Sequence, residues 1–242
     1  MVVKERVRSV MTDFFKFPST VHLAFLDDSS CRADKCMTQQ EREAFLSHEI
    51  VVEEKIDGAN LGISFDTDGV ICCQNRGHRL VPPYDGQWRL LARWLDGRID
   101  YLFDKLEGRL ILFGEWCYAR HSVPYDALPD WFVLFDVYDR NEEIFYSTCR
   151  RNQLAEELQI SYVPEVGRAR YKFEELAQWE FRSSFGETLS EGMYLRYENS
   201  DHLIARSKLV RPAFRQAIEK HWSRAPIHPN RCSVSMDNWA FV

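Results

Sequence analysis

Residues 53–60 read EEKIDGAN, one lysine among acids just ahead of an Asp-Gly pair. The flanking stretches, SHEIVV at 47–52 and LGISF at 61–65, have the apolar and β-branched content of strands, so Asp57-Gly58 suits the turn of a hairpin. A lysine at the lip of two buried strands is either a solvated edge residue or a nucleophile. The residues further out decide between them.

On the N-terminal side, KERVRSVMTDFF (4–15) predicts a helix, and TQQEREAFL (38–46) a second one with Thr38 and Glu41 as a capping box. Strands are expected at 49–54, 60–66 and 69–75, the last two joined by DTDG. From Gln87 to Leu106, the residues Trp88, Leu91, Leu95, Ile99 and Leu102 recur at helical spacing and predict one long helix with these side chains on the core. RLILFGEW (109–116) and WFVLFDVYD (131–139) are near-continuous apolar runs, the mark of buried central strands, and DRNEEIFY turns the second into a hairpin. TCRRNQLAEELQ and KFEELAQW follow as helices, GMYLRYE and HLIARSKLV as strands, and RPAFRQAIEKHW as a closing helix with Pro212 near its start. This is a mixed, mostly antiparallel α+β order, not the strand-helix alternation of a dinucleotide-binding fold. Neither G-x-G-x-x-G nor G-x-x-x-x-G-K-[ST] is present. With no repeat, low-complexity tract or Pro/Gly/Ser linker, residues 1–242 are expected to form a single domain.

A chain of 242 residues, 45% hydrophobic and 28% charged, can bury a real core and has the composition of a globular protein. Its net charge of −6 argues against a protein that coats nucleic acid without selectivity, yet leaves room for a local basic groove. Sixteen Phe, ten Tyr and seven Trp suit a core and equally suit base stacking. The N-terminus lacks the apolar run of a signal peptide, and no window reaches the roughly 18 apolar residues of a membrane span. Seven cysteines without secretory context predict reduced thiols and a cytoplasmic protein. Cys31, Cys36 and His22 are poor zinc ligands for want of any C-x-x-C pair.

The informative anomaly is that apolar strands end in charge. ILFGE places Glu115 straight after a buried run, EGMYLR begins with Glu191, and IARSK closes a strand with Arg206 and Lys208. Singly, each is a strand end reaching solvent. With Lys55 they make three cations and two carboxylates at strand ends, which suits nucleotidyl transfer: a lysine amine attacks the α-phosphorus of a nucleoside triphosphate and expels pyrophosphate. The amine must first be neutral, and with an ordinary pKa only about one in 2,500 is neutral at pH 7. Neighbouring cations and a metal ion are expected to lower that pKa, with Arg206 and Lys208 also neutralising phosphate oxygens. Glu115 and Glu191 are hard oxygen ligands of the kind magnesium takes. Phe135 offers a ring for stacking on the base.

At this point EKIDGAN resembles the K-x-D-G element of the covalent nucleotidyltransferases: ATP-dependent DNA ligases, RNA ligases and messenger-RNA capping enzymes. The later motifs follow in order: NRGHRL (75–80), LFGEW (112–116), FVLFDVYD (132–139), EGMYLR (191–196) and IARSKLV (204–210). The resemblance runs from about residue 16 to residue 224. Within that superfamily the chain is most similar to ATP-dependent RNA ligases, through KFPSTVHL (16–23), GEWCYARHSVPYDALPDWFVLFDVYD (114–139) and KLVRPAF (208–214). The resemblance implies an ATP-grasp-like ligase catalytic domain, with antiparallel sheets around a nucleotide cleft. It implies a protein that joins 5′-phosphate and 3′-hydroxyl RNA ends in RNA repair, using ATP and magnesium or manganese. It makes Lys55 the adenylylated nucleophile and sets Glu54 by the adenine through its backbone. Asp57 and Asn60 would organise the lysine and a metal-bound water. Arg76 would meet the ribose, Glu115 the ribose or metal, Phe135 the adenine and Glu191 the metal. Arg206 and Lys208 would hold the phosphates.

Two departures bear on this transfer. Many relatives carry a lysine where this chain has Arg206, and arginine is differently shaped and always charged. Only 34 residues follow Lys208, so no separate C-terminal barrel or helical domain is expected. Either the catalytic domain works alone, or a partner, such as an end-processing protein, supplies the grip on RNA. Within the chain, Arg206, Lys208, Arg211, Arg215, Lys220 and Arg224, with Arg120-His121 and Arg150-Arg151, form a candidate RNA-binding set, the alternative for the last helix being a solvated surface face. A DNA-joining or GTP-dependent relative, and a non-catalytic adenylate- or RNA-binding relative, remain alternatives at this stage.

Overall fold

The lysine stretch does not form a hairpin. β1 (Ile50–Glu54) and β2 (Ala59–Phe65) belong to different sheets, so residues 55–58 carry the chain from one sheet to the other. The structure, a computed structural model, describes residues 14–26, 36–212, 214 and 226–233. The helix expected over 4–15 lies outside these residues except at its last two positions. Of the closing helix, only Arg211, Pro212 and Phe214 are described.

Ahead of β1, α1 (Gln39–Leu46) starts as expected. The Thr38 hydroxyl accepts from the Glu41 amide, and the Glu41 carboxylate accepts from the Thr38 amide at 2.8 Å. After β2 come β3 (Ile71–Gln74), β4 (Arg79–Leu80), α2 (Leu91–Asp96), α3 (Ile99–Leu106), β5 (Leu110–Trp116), β6 (Phe132–Asp139) and β7 (Ile144–Phe145). They are followed by α4 (Thr148–Glu157), β8 (Glu165–Ala169), α5 (Phe173–Gln178), β9 (Gly192–Glu198) and β10 (Leu203–Val210). Among the described residues there are two antiparallel sheets, of order β10-β9-β1-β8 and β4-β3-β2-β5-β6-β7. The α+β class expected from the sequence is the class observed. No helix among the described residues is long and apolar enough to cross a membrane.

The helix expected from Gln87 to Leu106 is broken into a 3-10 turn (Gly86–Trp88), α2 and α3. At the second break Arg98 is buried, donates to the Trp94 carbonyl at 3.0 Å and lies over the Trp94 ring. Leu91, Leu95 and Leu102 reach the core as predicted, whereas the break turns Ile99 outward to 37% exposure.

One large apolar cluster fills the space behind the six-stranded sheet, around Leu61, Ile63, Trp94, Leu112, Trp116 and Phe132. A second, around Leu23, Ile50, Val52, Leu176 and Leu195, packs on the four-stranded sheet. The two sheets are tied by ions instead. Asp136 on β6, fully buried, accepts from Arg196 on β9 through one oxygen and from Arg206 on β10 at 2.8 Å through the other. Arg196 and Arg206 face each other across the β9-β10 ladder, a like-charge pair that the shared Asp136 offsets, with Glu198 pairing Arg196 as well. Glu53 on β1 accepts from Arg151 of α4 at 2.6 Å. Removing Asp136 takes from Arg206 the carboxylate it meets at 2.8 Å and leaves the buried Arg196 with Glu198 at 3.0 Å and Glu53 at 3.8 Å. Asp136→Ala is therefore expected to destabilise the fold by about 3–5 kcal/mol, measured by chemical denaturation.

Candidate active site

A cavity opens where the two sheets face each other. From the four-stranded side come Glu53 and Glu54 at the end of β1, Tyr194 on β9 and Lys208 on β10. From the six-stranded side come Asn60, Glu115 and Phe135. Lys55, on the crossing segment, projects between them, and Arg76 stands at the exposed rim.

The crossing segment is closely held. The Lys55 amide donates to the Gly192 carbonyl at 3.0 Å, which ties it to the start of β9. Gly58 passes so near β5 that a Cβ would lie 3.0 Å from the Trp116 carbonyl oxygen and 3.1 Å from the Glu115 Cβ, so a side chain there would crowd the β5 backbone. The Asp57 carboxylate accepts from the amides of Ser122 at 2.7 Å and Val123 at 2.9 Å, and its own amide donates to the Tyr125 hydroxyl at 2.8 Å. His121 faces the same carboxylate from 4.0 Å and meets Gln87 at 3.1 Å through its other ring nitrogen.

Phe135 owes its place to a β-bulge. Phe113 pairs with Asp136 and Gly114 with Leu134, which leaves Phe135 as the extra residue of β6. Its carbonyl accepts from Arg151 at 2.8 Å and from Arg196 at 3.3 Å, so the ionic cluster that joins the sheets also fixes the aromatic wall. Phe17 meets the Phe135 ring edge-on, centroids 5.3 Å apart, and lines the cavity with it.

The Lys55 ammonium donates to Glu191 Oε2 at 2.6 Å, with Lys55 23% exposed and Glu191 7%. Burial works against the charged amine, but the carboxylates of Glu191, Glu115 and Asp57 outweigh it, and the Lys55 pKa is raised. A raised lysine pKa is stabilising below about 10.5 and is lost only as pH rises past the folded value, so this amine is charged at neutral pH. Carboxylates, not the cations expected from the sequence, thus set the direction of the Lys55 pKa in the ligand-free protein.

The arginine among those cations is occupied elsewhere. Arg206 donates to Asp136, and its guanidinium lies 4.5 Å from the Phe17 ring centroid and 4.3 Å from that of Phe145. The structure brings Lys208 to the cavity wall and leaves Arg206 behind Phe17. Arg150 and Arg151, proposed from sequence as RNA contacts, are likewise engaged: Arg150 pairs with Asp201 at 2.9 Å, and Arg151 is buried against Glu53. Arg215, Lys220 and Arg224 lie outside the described residues. Sequence reasoning missed Phe17 and Tyr194 as wall residues, although Phe17 sits in KFPSTVHL and Tyr194 in EGMYLR, both already singled out.

Several buried oxygens here have no hydrogen-bond partner: Asn60 Oδ1, Glu115 Oε2 and Glu54 Oε1. Asn60 and Glu115 are direct cross-strand partners on β2 and β5, so their orphan oxygens share one face. Unsatisfied buried acceptors are costly and fit a bound cation or a donor-bearing ligand. Burial, with Glu191 adding to it, pushes the Glu115 carboxyl up to about 8, while Lys55 pulls the other way. A carboxyl raised in this way stabilises the fold fully below its unfolded value, and that contribution is lost as pH climbs from about 4.5 to about 8. Glu115→Gln is therefore expected to flatten the fall in melting temperature of the ligand-free protein over that window. An unchanged pH slope would place the carboxyl in water.

The model of the RNA ligase family matches residues 48–210, two-thirds of the chain, from just before β1 to the end of β10. The chain belongs to the RNA ligase family. Solved structures of the Naegleria gruberi RNA ligase share the fold. A mutant with ATP and Mn matches with 19% identity and a TM-score of 0.54, over 74% of this chain and 53% of that one. The same ligase with PPi matches with 22% identity and a TM-score of 0.56, over 73% and 52%. Another mutant, with AMP and Mn, matches with 19% identity and a TM-score of 0.54, over 74% and 53%. This chain thus spans about half the length of the Naegleria gruberi chains it matches. No curated protein gives a match.

Proposed function

We propose that this member of the RNA ligase family is an ATP-dependent RNA ligase, active in RNA repair, that joins 5′-phosphate and 3′-hydroxyl ends through a lysyl-AMP and then an RNA-adenylate. The observation that carries the reading is Lys55. The lysine of the K-x-D-G element stands between two sheets, its amine on Glu191, beside an aromatic wall and unpartnered carboxylate and amide oxygens.

In the first step the neutral Lys55 amine attacks the α-phosphorus of ATP. An N–P bond forms, the bond to pyrophosphate breaks, and the displaced ammonium proton leaves through Glu191 or water. In the second, a 5′-phosphate oxygen of RNA attacks the same phosphorus, the N–P bond breaks, and Lys55 recovers its amine and a proton. In the third, the 3′-hydroxyl attacks the 5′-phosphate phosphorus and AMP departs. Phe135 and Phe17 suit the adenine, with the Glu54 backbone alongside, and Arg76 suits the ribose. Lys208 suits the phosphates. Arg206 serves them indirectly, by holding Phe17 and Asp136.

Glu191 and Glu115 are the residues that would hold magnesium or manganese, with Asp57 and Asn60 ordering the water around it; a bound ion would neutralise phosphate oxygens and offset the carboxylates around the amine. Among the described residues no three His, Cys, Asp or Glu side chains converge as a metal cluster, so phosphate and water would complete the shell. The organisation of residues 1–242 as one catalytic domain, the cytoplasmic setting and any end-processing partner belong to the same proposal.

The test is direct. The protein is incubated with labelled ATP or GTP and magnesium, then offered 5′-phosphorylated RNA and DNA in parallel. The reading expects label from ATP alone, none in chelator, and sealing of RNA. Sealing of DNA alone, or capture of GMP, would contradict it.

A further inference from the structure

The segment 226–233 lies beyond the family match, yet it is bonded into the loop that holds Asp57. Asn230 is the centre of the attachment and is only 5% exposed. Its Oδ1 accepts from the Tyr125 amide at 3.0 Å and its Nδ2 donates to the Cys117 carbonyl at 2.8 Å. Its backbone amide donates to the Tyr118 carbonyl at 2.9 Å. One side chain thus closes the loop 117–125 on itself, using both ends of its amide. Further bonds fix the register: Arg120 to the His228 carbonyl at 2.8 Å, Arg231 to the Tyr125 carbonyl at 3.0 Å, and Leu128 to the Arg231 carbonyl at 3.0 Å.

The loop so closed supplies Asp57 with every hydrogen bond described above. Ser122 and Val123 donate to its carboxylate, and the buried Tyr125 hydroxyl accepts from its amide. Asp57 is two residues from Lys55, and Gly58 wedges the same turn against Trp116 and Cys117. The path runs from Asn230 through Tyr125 to Asp57 and the nucleophile without a gap.

We propose that Asn230 is a positioning residue for AMP transfer. Through Tyr125 it fixes the crossing segment so that the Lys55 amine meets the α-phosphorus in line, and it has no contact of its own with nucleotide. This rests on the ligase reading. Displacements of about 1 Å at a reacting group cost about a hundredfold in rate, while ATP binding, which leans on Phe135, Arg76 and Lys208, is left nearly intact.

The test measures single-turnover AMP capture against ATP concentration for wild type, Asn230→Ala and Tyr125→Phe. Tyr125→Phe removes only the hydroxyl that accepts from Asp57. Both variants are expected to lower the maximal rate by at least about tenfold and to shift the half-saturating ATP concentration by less than about threefold. Should Asn230→Ala fail to fold, Tyr125→Phe decides alone. A folded Asn230→Ala, or a Tyr125→Phe, that captures AMP at the wild-type rate overturns the proposal while leaving the ligase reading intact. Equal loss of rate and ATP affinity reduces the segment to general structural support and also overturns it. A wild type that captures no AMP sinks the ligase reading, and this proposal with it.

Discussion

Lys55→Arg is expected to fold, to keep its ion pair with Glu191 and to capture no AMP, a loss of at least about a thousandfold in rate. The arginine side chain keeps the positive charge that the buried Glu191 carboxylate meets at 2.6 Å in the wild type, so the fold has little reason to change. What it lacks is a lone pair, because a guanidinium does not give up its proton in proteins. Lys55→Ala removes charge and nucleophile together. The Glu191 pKa is already raised by burial, so that carboxyl can take up a proton in place of its lost partner, and the melting temperature should move little at mildly acidic pH. Both variants should still seal RNA that is already 5′-adenylated, since that step asks nothing of a lysine amine. A variant that folds, captures no AMP and seals pre-adenylated RNA isolates the first step at this one atom.

Glu191→Gln sets two effects of opposite sign against each other. Glu191 raises the Lys55 pKa, so a neutral amide there makes the amine easier to deprotonate and, on that ground alone, faster. The same change removes a hard anionic ligand from a site that must bring a polyanion up to two other acids. In sites of this kind the ion is the largest local charge, and we expect its loss to prevail, lowering AMP capture by about a hundredfold or more. Raising the manganese concentration should recover part of that loss. A faster Glu191→Gln, or one indifferent to metal concentration, would assign the residue to the ion pair alone.

Much of this was legible in the residues, and the failures share a cause. Local signals read well: the Thr38-Glu41 box opens α1, and the apolar runs at 110–116 and 132–139 are β5 and β6. β8 escaped notice because EVGRA is short, contains a glycine and is never fully buried, so it has neither run nor alternation to read. The apparent hairpin at Asp57-Gly58 failed for a non-local reason, since strand pairing depends on partners far along the chain: Val51 of β1 pairs with Arg168 of β8 and Arg196 of β9. The same holds in the site. Lys55, Asn60, Glu115, Phe135 and Lys208 were found by type and motif, and the structure brings them to one cavity. Arg206 was placed by type too, but Asp136, brought in from the other sheet, claims its guanidinium. Neither the bulge at Phe135 nor the bond from Asn230 leaves a mark in a short window of sequence.

The most direct test of the central claim is the intact mass of the wild-type protein after incubation with ATP and magnesium, followed by mapping of the modified peptide. The account predicts a gain of one AMP, stable to base and labile to acid as a phosphoramidate is, located on Lys55. A protein that gains no mass, or that carries AMP on any other residue, would contradict it.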